Sequence, residues 1–274
     1  MVLLKGPVTA ARLYPGQARP MADIDILIEP AGRAEAELLL AGLGYRCRAT
    51  LATAADWRRD DGARIDLHHA LSPRSSRAPE AAWPVLAGHL TTLELHGRRV
   101  PVLDEAAHAL HMAIHAADSG PHRPKPIEDL NRAVARFDLA TWRKALDLAG
   151  ELEALPALVA GLRVYAADGD GLADALGLPA RVSATERLGA AAGAGPGSVL
   201  ARLSYRPGRQ RLAEVRRWLL PTGAEARSRL AMRNVPAWLP VSGPATARLV
   251  VLRLWQLGRL ARSLWAVVMA RGWR

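Results

Sequence analysis

The sequence predicts an α+β fold, in which a small mixed sheet with its helices is followed by a mostly helical part. Short apolar runs typical of strands alternate with helical patterns up to residue 102, whereas only helical patterns occur from residue 103 onward. A chain of 274 residues is long enough for two domains. We therefore expect a sheet-containing domain over 1–102 and a helical domain over 103–274.

The elements of the first part follow from apolar periodicity and from the positions of glycine and proline. The pattern predicts, in chain order, strand Val2–Leu4, helix Pro7–Tyr14, strand Ile24–Ile28, helix Arg33–Leu43, strand Arg64–His68 and the hairpin strands Thr91–Leu95 and Arg99–Val102. Gly44 is the stop signal expected after a helix. His96-Gly97 is typical of a β-hairpin turn. The strands near Ile24 and Arg64 both carry acidic residues.

The second part begins with a capping residue. Asp104 is typical of a helix N-cap, and the helix that follows is expected to run to about Ala117. Further helical patterns cover Ile127–Arg136, Leu139–Leu148 and Leu152–Ala167. The small-residue segment Gly189–Ser198 is predicted to be a linker or loop without chemistry of its own, because it lacks the Lys-Ser/Thr ending of a phosphate-binding P-loop.

The overall charge indicates an anionic partner. The formal net charge is +11 and the pI is about 10.9, which favours nucleotides, nucleic acid or anionic lipid. Half of the residues are hydrophobic, which argues against global disorder. Cys47 is the only cysteine, so an internal disulfide is excluded and a reducing compartment is expected. Because no apolar run reaches about 18 residues and no secretory signal is evident, we predict a cytoplasmic protein of bacterial type.

The C-terminal segment 246–274 is basic and carries three tryptophans. Beyond Glu225 the chain has nine arginines and no acidic residue. At about 100° per residue, Arg248, Arg259 and Arg262 fall on one side of a helix. Packing on the protein, with the arginines solvated, is the default expectation for such a helix. A contact with an anionic membrane surface, with nucleic acid or with another partner is the alternative.

Two aspartates on one predicted strand indicate a metal site. Side chains alternate along a strand, so Asp23 and Asp25 project from one face while Ile24 and Ile26 are expected to enter the core. Two carboxylates held this close repel each other unless a cation lies between them, and Mg²⁺ prefers oxygen ligands. Pairing with the second acidic strand would add Asp66 to the cluster. Three such acids suit two-metal phosphoryl chemistry, although ordinary exposed acids on an amphipathic strand would give the same pattern.

The segment before this strand is typical of a phosphate-binding turn. Leu3-Leu4-Lys5-Gly6-Pro7 indicates a strand, a tight turn and a helix with proline at its first position. Backbone N–H groups at such a turn point at an anion, Gly6 permits close approach, and Lys5 adds a positive charge. A phosphate-binding turn followed by a carboxylate strand is what an enzyme acting on a triphosphate needs.

A set of segments spread over most of the chain is shared with one known family. The set comprises Leu3-Leu4-Lys5-Gly6, Tyr14-Pro15, Arg19–Ile28, Gly44-Tyr45, Ile65–His68, His111, His115, Asp129, Trp218–Pro221 and Arg227–Arg233. It resembles the uncharacterised bacterial nucleotidyltransferase family of the polymerase-β superfamily, most specifically in the first seventy residues. The resemblance implies a small polymerase-β-type nucleotidyltransferase sheet and metal-dependent transfer of a nucleotidyl group from an NTP. It also implies metal ligation by Asp23, Asp25 and Asp66, with the Lys5-Gly6 turn at the phosphates. Gly6-Pro7 stands where the superfamily normally has Gly-Ser or Gly-Gly.

Several further side chains are candidate nucleotide contacts. Arg19 precedes the carboxylate strand and is either a phosphate ligand or a plain surface arginine. His68 shares the face of Asp66 and is expected to support a carboxylate rather than to bind the metal directly. Asp66 itself is either a metal ligand or a base acting on the acceptor. The resemblance adds His115 and Asp129 to the nucleotide site.

Three histidines lie on one face of the helix that follows Asp104. His108, His111 and His115 are spaced i, i+3 and i+7. A zinc site is one interpretation, but no Cys or Glu stands at a supporting spacing. Packing, or a position at the edge of the substrate, is the expected role.

The sequence therefore predicts an enzyme that transfers NMP from an NTP, with Mg²⁺ or Mn²⁺ as cofactor. The acceptor is a hydroxyl or phosphate on a small molecule, a peptide or RNA, and the fold does not choose among them. The alternative is an inactive nucleotidyltransferase fold that serves as a binding module and uses its basic tail for RNA or anionic membrane. The expected site is Asp23, Asp25 and Asp66 at the metal, with Lys5, Gly6, Arg19, His68, His115 and Asp129 at the nucleotide.

Overall fold

The computed structural model contains a seven-stranded mixed sheet with helices, followed by a helical C-terminal part, which confirms the predicted α+β class. The residues that the structure describes are 1–50, 53–71, 77–120, 123–183, 187, 208–219, 222–223, 226–227, 230 and 243–271. The small-residue segment Gly189–Ser198 lies outside the described residues.

The sheet combines parallel and antiparallel pairs. Its strands are β1 (Val2–Leu3), β2 (Ile24–Leu27), β3 (Arg46–Thr50), β4 (Ala54–Arg58), β5 (Arg64–His68), β6 (Leu90–Leu95) and β7 (Arg98–Leu103). Their order across the sheet is β3-β4-β5-β2-β1-β7-β6. β2 runs parallel to β5 and β1 parallel to β7, while the other neighbouring pairs are antiparallel. The predicted hairpin is confirmed, with positive φ at both His96 and Gly97.

The helices of the described residues are α1 (Pro7–Leu13), α2 (Arg33–Gly42), α3 (Pro79–Ala87), α4 (Glu105–Ser119), α5 (Pro124–Arg136), α6 (Leu139–Glu151), α7 (Leu155–Ala160), α8 (Gly169–Ala175), α9 (Gly208–Leu219) and α10 (Ala245–Arg271). Asp104 caps α4 as predicted, since its Oδ1 accepts a hydrogen bond from the Ala107 amide at 2.8 Å. The helix predicted over Leu152–Ala167 is wrong in its bounds. A turn with Glu153 at φ 52° separates α6 from α7, which continues as a π-helical turn over Gly161–Tyr165.

The sheet has an apolar core on each face. On one face α2 covers β2, β4 and β5, with Leu40 packed among Trp57 and other strand residues. On the other face, a larger cluster extends from Val2 and Leu27 through α4 to Leu178. This larger cluster contains residues from both sides of the expected boundary between 102 and 103. The division into two domains stays a prediction.

The side chains of β2 are oriented differently from the prediction, because apolar clusters bury both faces of the sheet. Asp25 and Leu27 face the larger core, whereas Ile26 packs on the α2 side. The prediction that Ile24 enters the core is wrong, because its side chain is 42% exposed. β2 begins at Ile24, and the cluster beneath α2 reaches only as far as Ile26. Asp25 therefore shares a face with the deepest apolar residue of its strand.

Five elements of the structure are absent from the sequence prediction, namely β3, β4, α3, α8 and α9. The signal for β4 is present in the loop that joins it to β5. Gly62 in that loop has φ 89°, and Asp61 accepts a hydrogen bond from the Ala63 amide at 3.0 Å. Because Asp-Gly between two alternating segments is a strong hairpin signal, residues 54–58 were open to prediction as a strand.

Residues 245–271 form α10, and the first half of this helix packs against α9 and against residues that follow α9. A small apolar cluster joins α10 to two residues that follow α9 in the chain, and it consists of Ala226, Leu230, Leu249 and Leu252. The Arg253 guanidinium lies 4.4 Å from the centre of the Trp218 ring, which is a cation–π contact. These contacts agree with the expected packing role of this half, whereas the side chains of Arg259 and Arg262 lie outside the described residues. In the described part of the chain, no helix is long and apolar enough to cross a bilayer.

Candidate active site

A cavity of about 490 Å³ lies where β1, β2 and β5 meet α4 and α5. Its lining includes all nine residues predicted for the site, namely Lys5, Gly6, Arg19, Asp23, Asp25, Asp66, His68, His115 and Asp129. A volume of this size falls within the range of roughly 300–1,000 Å³ typical of small-molecule sites. The fold thus brings the predicted residues to one place, and their individual roles remain predictions.

A row of three aspartates crosses the sheet beside this cavity. Asp25 of β2 pairs in register with Asp66 of β5, and Asp66 pairs with Asp56 of β4. Side chains in register on neighbouring strands point to the same face, so the three carboxylates are neighbours. The strand pairing expected for Asp25 and Asp66 is therefore present. Asp23 precedes β2 and lines the same cavity.

Asp25 is held by two side chains. Its Oδ1 lies 2.7 Å from Lys5 Nζ and 3.0 Å from His68 Nε2. Burial opposes the negative charge, but the hydrogen bond from His68 and the charge of Lys5 outweigh it and hold the pKa of the Asp25 carboxyl well below its usual range. The Lys5 ammonium, expected at a phosphate, here neutralises a carboxylate of the proposed metal site.

Asp66 stands in the opposite electrostatic setting. Burial raises the pKa of the Asp66 carboxyl, and the negative charges of Asp25 and Asp23 raise it further. The cluster therefore carries more negative charge at Asp66 than the neighbouring cations balance. A divalent cation relieves this kind of repulsion.

A metal ion fits this cluster by the chemistry of its donors. One ligand atom from each of Asp25, Asp66 and His68 lies within 4.8 Å of the others, and among the described residues no other such group of three occurs. Carboxylate oxygens suit Mg²⁺ and Mn²⁺, while an imidazole nitrogen extends the set to other transition metals. His68 Nδ1 is buried without a hydrogen-bond partner in the described part of the chain. His68 therefore contacts Asp25 and also belongs to the cluster, and its expected role as support of a carboxylate stays a prediction.

Gly6 forms the turn between β1 and α1. Its φ of 70° lies in the left-handed region that favours glycine, and a Cβ at this position would lie 3.4 Å from Met21 Sδ. Pro7 occupies the first position of α1, a helix of only seven residues. Gly6 lines the cavity, whereas Pro7 has no N–H to donate to an anion.

Arg19 is not a plain surface arginine, because its side chain is 6% exposed. Nε and Nη2 donate to the two oxygens of Asp129 at 2.9 and 2.5 Å. The Tyr14 hydroxyl donates to Asp129 Oδ1 at 2.7 Å. Burial lowers the pKa of Arg19, but the hydrogen bond and charge of Asp129 more than offset it, so the pKa is raised. Asp129 thus reaches the cavity wall with both oxygens already accepting hydrogen bonds from the protein.

The three histidines of α4 divide into one core residue and two cavity residues. His108 is buried, with Nε2 3.3 Å from Thr9 Oγ1. His111 and His115 line the cavity with their rings stacked at a centroid distance of 5.8 Å. Burial is the main cause that lowers the pKa of all three, so they are neutral at pH 7. These positions agree with packing and cavity-edge roles, and within the described residues the three form no metal-binding group.

Part of the cavity wall is formed by residues that were not predicted from the sequence. Arg123 and Lys125, at the start of α5, line the cavity, and the Lys125 ammonium donates to the Pro20 carbonyl. The prolines around Lys125 mark a helix start in the sequence, since proline is favoured at the first positions of a helix. No local pattern, however, indicates that this helix start faces the carboxylate strands.

Comparison with known families agrees with this geometry. Residues 1–167 match a family described as an uncharacterised nucleotidyltransferase. The chain belongs to this nucleotidyltransferase family. The match extends from β1 to just past the π-helical turn, so the nucleotidyltransferase region includes the carboxylate strands, α4 and α5. No curated protein matches the chain.

Proposed function

We propose that this nucleotidyltransferase transfers NMP from an NTP to a hydroxyl or phosphate of a small molecule, a peptide or RNA, with Mg²⁺ or Mn²⁺. The observation that carries the proposal is the in-register pair Asp25 and Asp66, which forms a cluster with His68. This cluster lies in a cavity that is also lined by arginine and lysine side chains. Carboxylates hold divalent cations, and basic side chains balance phosphate charge. The cavity therefore complements a metal–NTP complex in both signs of charge.

The proposed reaction exchanges one phosphorus–oxygen bond for another. The acceptor oxygen bonds to the α-phosphorus, the bond to the α,β-bridging oxygen breaks, and pyrophosphate leaves with that electron pair. Asp25 and Asp66, which form the cluster with His68, would hold the metal together with Asp23 of the same cavity wall, and the metal would supply charge stabilisation at the phosphates when bound. Lys5 and His68 orient Asp25 through its Oδ1. A hydroxyl acceptor also gives up a proton, and Asp66 is then either a metal ligand or the base that takes this proton.

The direct test is transfer of an α-phosphate label from NTPs into cell-extract acceptors in the presence of Mg²⁺ or Mn²⁺. Asp25→Asn is expected to lower labelled product by roughly a hundredfold or more, because it removes a metal-binding carboxylate. Asp147→Asn, an equal change at an exposed position of α6, is the matched control and should label like the wild type. Equal labelling by wild type and Asp25→Asn would contradict the mechanism.

An alternative function is a binding module for RNA or anionic membrane. The observation in its favour is the surface of α10, which exposes the apolar side chains Val251, Leu254, Trp255 and Leu257 in a basic segment. Helices of this composition bind anionic bilayers. Calorimetry separates the two functions. Binding of Mg²⁺–NTP supports the enzyme, whereas absence of NTP binding together with salt-sensitive binding to RNA or anionic liposomes supports the module.

A further inference from the structure

A second group of charged side chains lines the cavity and takes no part in the metal cluster. It consists of Arg19, Arg123 and Lys125. Arg19 lies on the loop before β2, and the other two lie at the start of α5. The Lys125 ammonium donates to the carbonyl of Pro20, the residue next to Arg19, so the start of α5 is tied to the Arg19 loop.

Arg19 is fixed in orientation before any ligand binds. Asp129 of α5 accepts hydrogen bonds from Nε and Nη2 of Arg19 in a bidentate pair, and the Asp129 side chain is 1% exposed. Tyr14 directly follows α1, and its hydroxyl donates a hydrogen bond to the same carboxylate. Asp129 leaves the Nη1 donors of the guanidinium unused, and these are N–H groups of the kind that bind phosphate oxygens. A guanidinium held this way loses little side-chain entropy when it binds an anion.

Lys125 lies in a setting that disfavours its positive charge. Burial lowers the pKa of Lys125, and the positive charge of Arg19 lowers it further. Two other cations of the cavity are already paired with a carboxylate, Lys5 with Asp25 at 2.7 Å and Arg19 with Asp129. An anion beside Lys125 would offset both of these effects on the pKa of Lys125.

We infer that Arg19, Arg123 and Lys125 form the subsite for the β- and γ-phosphates of the NTP, with Asp129 and Tyr14 as positioning residues for Arg19. The inference rests on the proposed function and deepens it, since it assigns the departing pyrophosphate to the start of α5. It also gives Asp129 a role through Arg19, because both Asp129 oxygens accept from the protein. In this arrangement the start of α5 contacts the phosphates, while the metal ligands lie on the carboxylate strands.

The probe is inorganic pyrophosphate with saturating Mg²⁺, titrated calorimetrically into the full chain. Arg19→Gln and Lys125→Gln should each weaken binding about tenfold or more, the usual consequence of losing a charge-assisted hydrogen bond. Lys144→Gln is the matched control, because Lys144 is exposed on α6, and it should bind pyrophosphate like the wild type. Unchanged affinity in both Arg19→Gln and Lys125→Gln would overturn the subsite.

The positioning role makes a prediction opposite in sign to simple electrostatics. Removing a negative charge next to an anion site should strengthen anion binding by Coulomb's law. If Asp129 instead fixes Arg19, Asp129→Asn should weaken pyrophosphate binding, and Tyr14→Phe should weaken it to a smaller extent. Mn²⁺ binding at the carboxylates, followed by electron paramagnetic resonance, should stay within about twofold of wild type in both variants, since neither residue contacts that cluster.

Stronger pyrophosphate binding by Asp129→Asn would overturn the positioning role. If Asp129→Asn does not fold, Tyr14→Phe decides, because it removes one hydroxyl and leaves the Arg19–Asp129 pair in place; unchanged binding would then overturn the role. The subsite and the proposed function fail separately. Pyrophosphate binding without any nucleotide transfer would contradict the function alone, whereas transfer that is insensitive to Arg19→Gln and Lys125→Gln would contradict the subsite alone.

Discussion

At the scale of single residues, Asp25 and Asp66 are neighbours in register with opposite effects on stability. Lys5 and His68 lower the pKa of Asp25 by more than burial raises it. The negative charge of Asp25 therefore stabilises the folded chain. Burial and the nearby carboxylates raise the pKa of Asp66, so its charge destabilises the folded chain. Between the usual carboxyl pKa and that raised value, the folded state holds more protons than the unfolded state, and stability falls as pH rises.

We therefore predict that the two asparagine variants shift thermal stability in opposite directions at pH 7 in EDTA. Asp66→Asn should raise the unfolding temperature by roughly 2 °C or more, because it removes an unfavourable charge. Asp25→Asn should lower stability by about 3 kcal/mol, since it leaves the buried Lys5 ammonium without its partner. Scanning calorimetry measures both effects.

The same scans with Mg²⁺ or Mn²⁺ supply the comparison. A cation that binds only the folded chain should raise the unfolding temperature of the wild type and of Asp147→Asn, but not of Asp25→Asn or Asp66→Asn. A lower unfolding temperature for Asp66→Asn in EDTA would mean that its carboxylate is stabilised in the fold and would contradict the assigned setting.

At the scale of elements, α4 is the layer that closes the site over the sheet, and it holds its histidines neutral. Burial lowers the pKa of His108 to about 3, and the positive charges of Arg12 and Arg19 act in the same direction. The usual value is 6.5, so between the two pH values the unfolded chain binds the extra proton. The stability contributed by neutral His108 is complete above pH 6.5 and is lost as pH falls toward 3.

We predict that the free energy of unfolding decreases as pH falls below about 6.5, and that His108→Gln makes this decrease shallower. Urea unfolding at a series of pH values between 7 and 4 measures the slope. His96→Gln, at the exposed turn between β6 and β7, is the control and should leave the slope unchanged. A slope equal to wild type in His108→Gln would show that other groups govern acid unfolding.

The elements also show which parts of the site were open to prediction from sequence. Asp104 as a cap, and β2 and β5 as strands, follow from local patterns, and both acidic strands were predicted within one residue of their observed bounds. The bidentate ion pair between Arg19 and Asp129 was not predictable from such local patterns. Its two residues stand 110 positions apart, and no local rule states that α5 turns its Asp129 face toward the loop before β2. The alternation rule failed at Ile24 because it predicts only which face of the sheet a side chain lies on. It does not predict whether other residues bury that part of the face.

At the scale of the whole molecule, one apolar cluster joins the sheet to the helices that follow it. It contains Val2 and Leu27 from the strands and Leu148 and Leu178 from the later helical region. A unit with a shared core unfolds cooperatively, whereas two separate domains need not. The nucleotidyltransferase match extends to residue 167 and so spans the sheet and α4 to α7, while the cluster continues into α8. We therefore expect the carboxylate strands and α4 to α8 to unfold together.

Leu148→Ala tests this expectation in the full chain. Leu148 is 1% exposed on α6, so its truncation should cost about 2–5 kcal/mol. In a cooperative unit, that loss should accelerate hydrogen exchange at the slowest amides of β1 and β2 as much as at those of α6. Leu212→Ala on α9 is the control, because its side chain is 74% exposed and should leave exchange in the sheet unchanged. Faster exchange in α6 with unchanged exchange in β2 would instead support independent domains over 1–102 and 103–274. In that case the cavity would be an interface between two folding units, and a change in α5 would act on the phosphate subsite without altering the stability of the carboxylate strands.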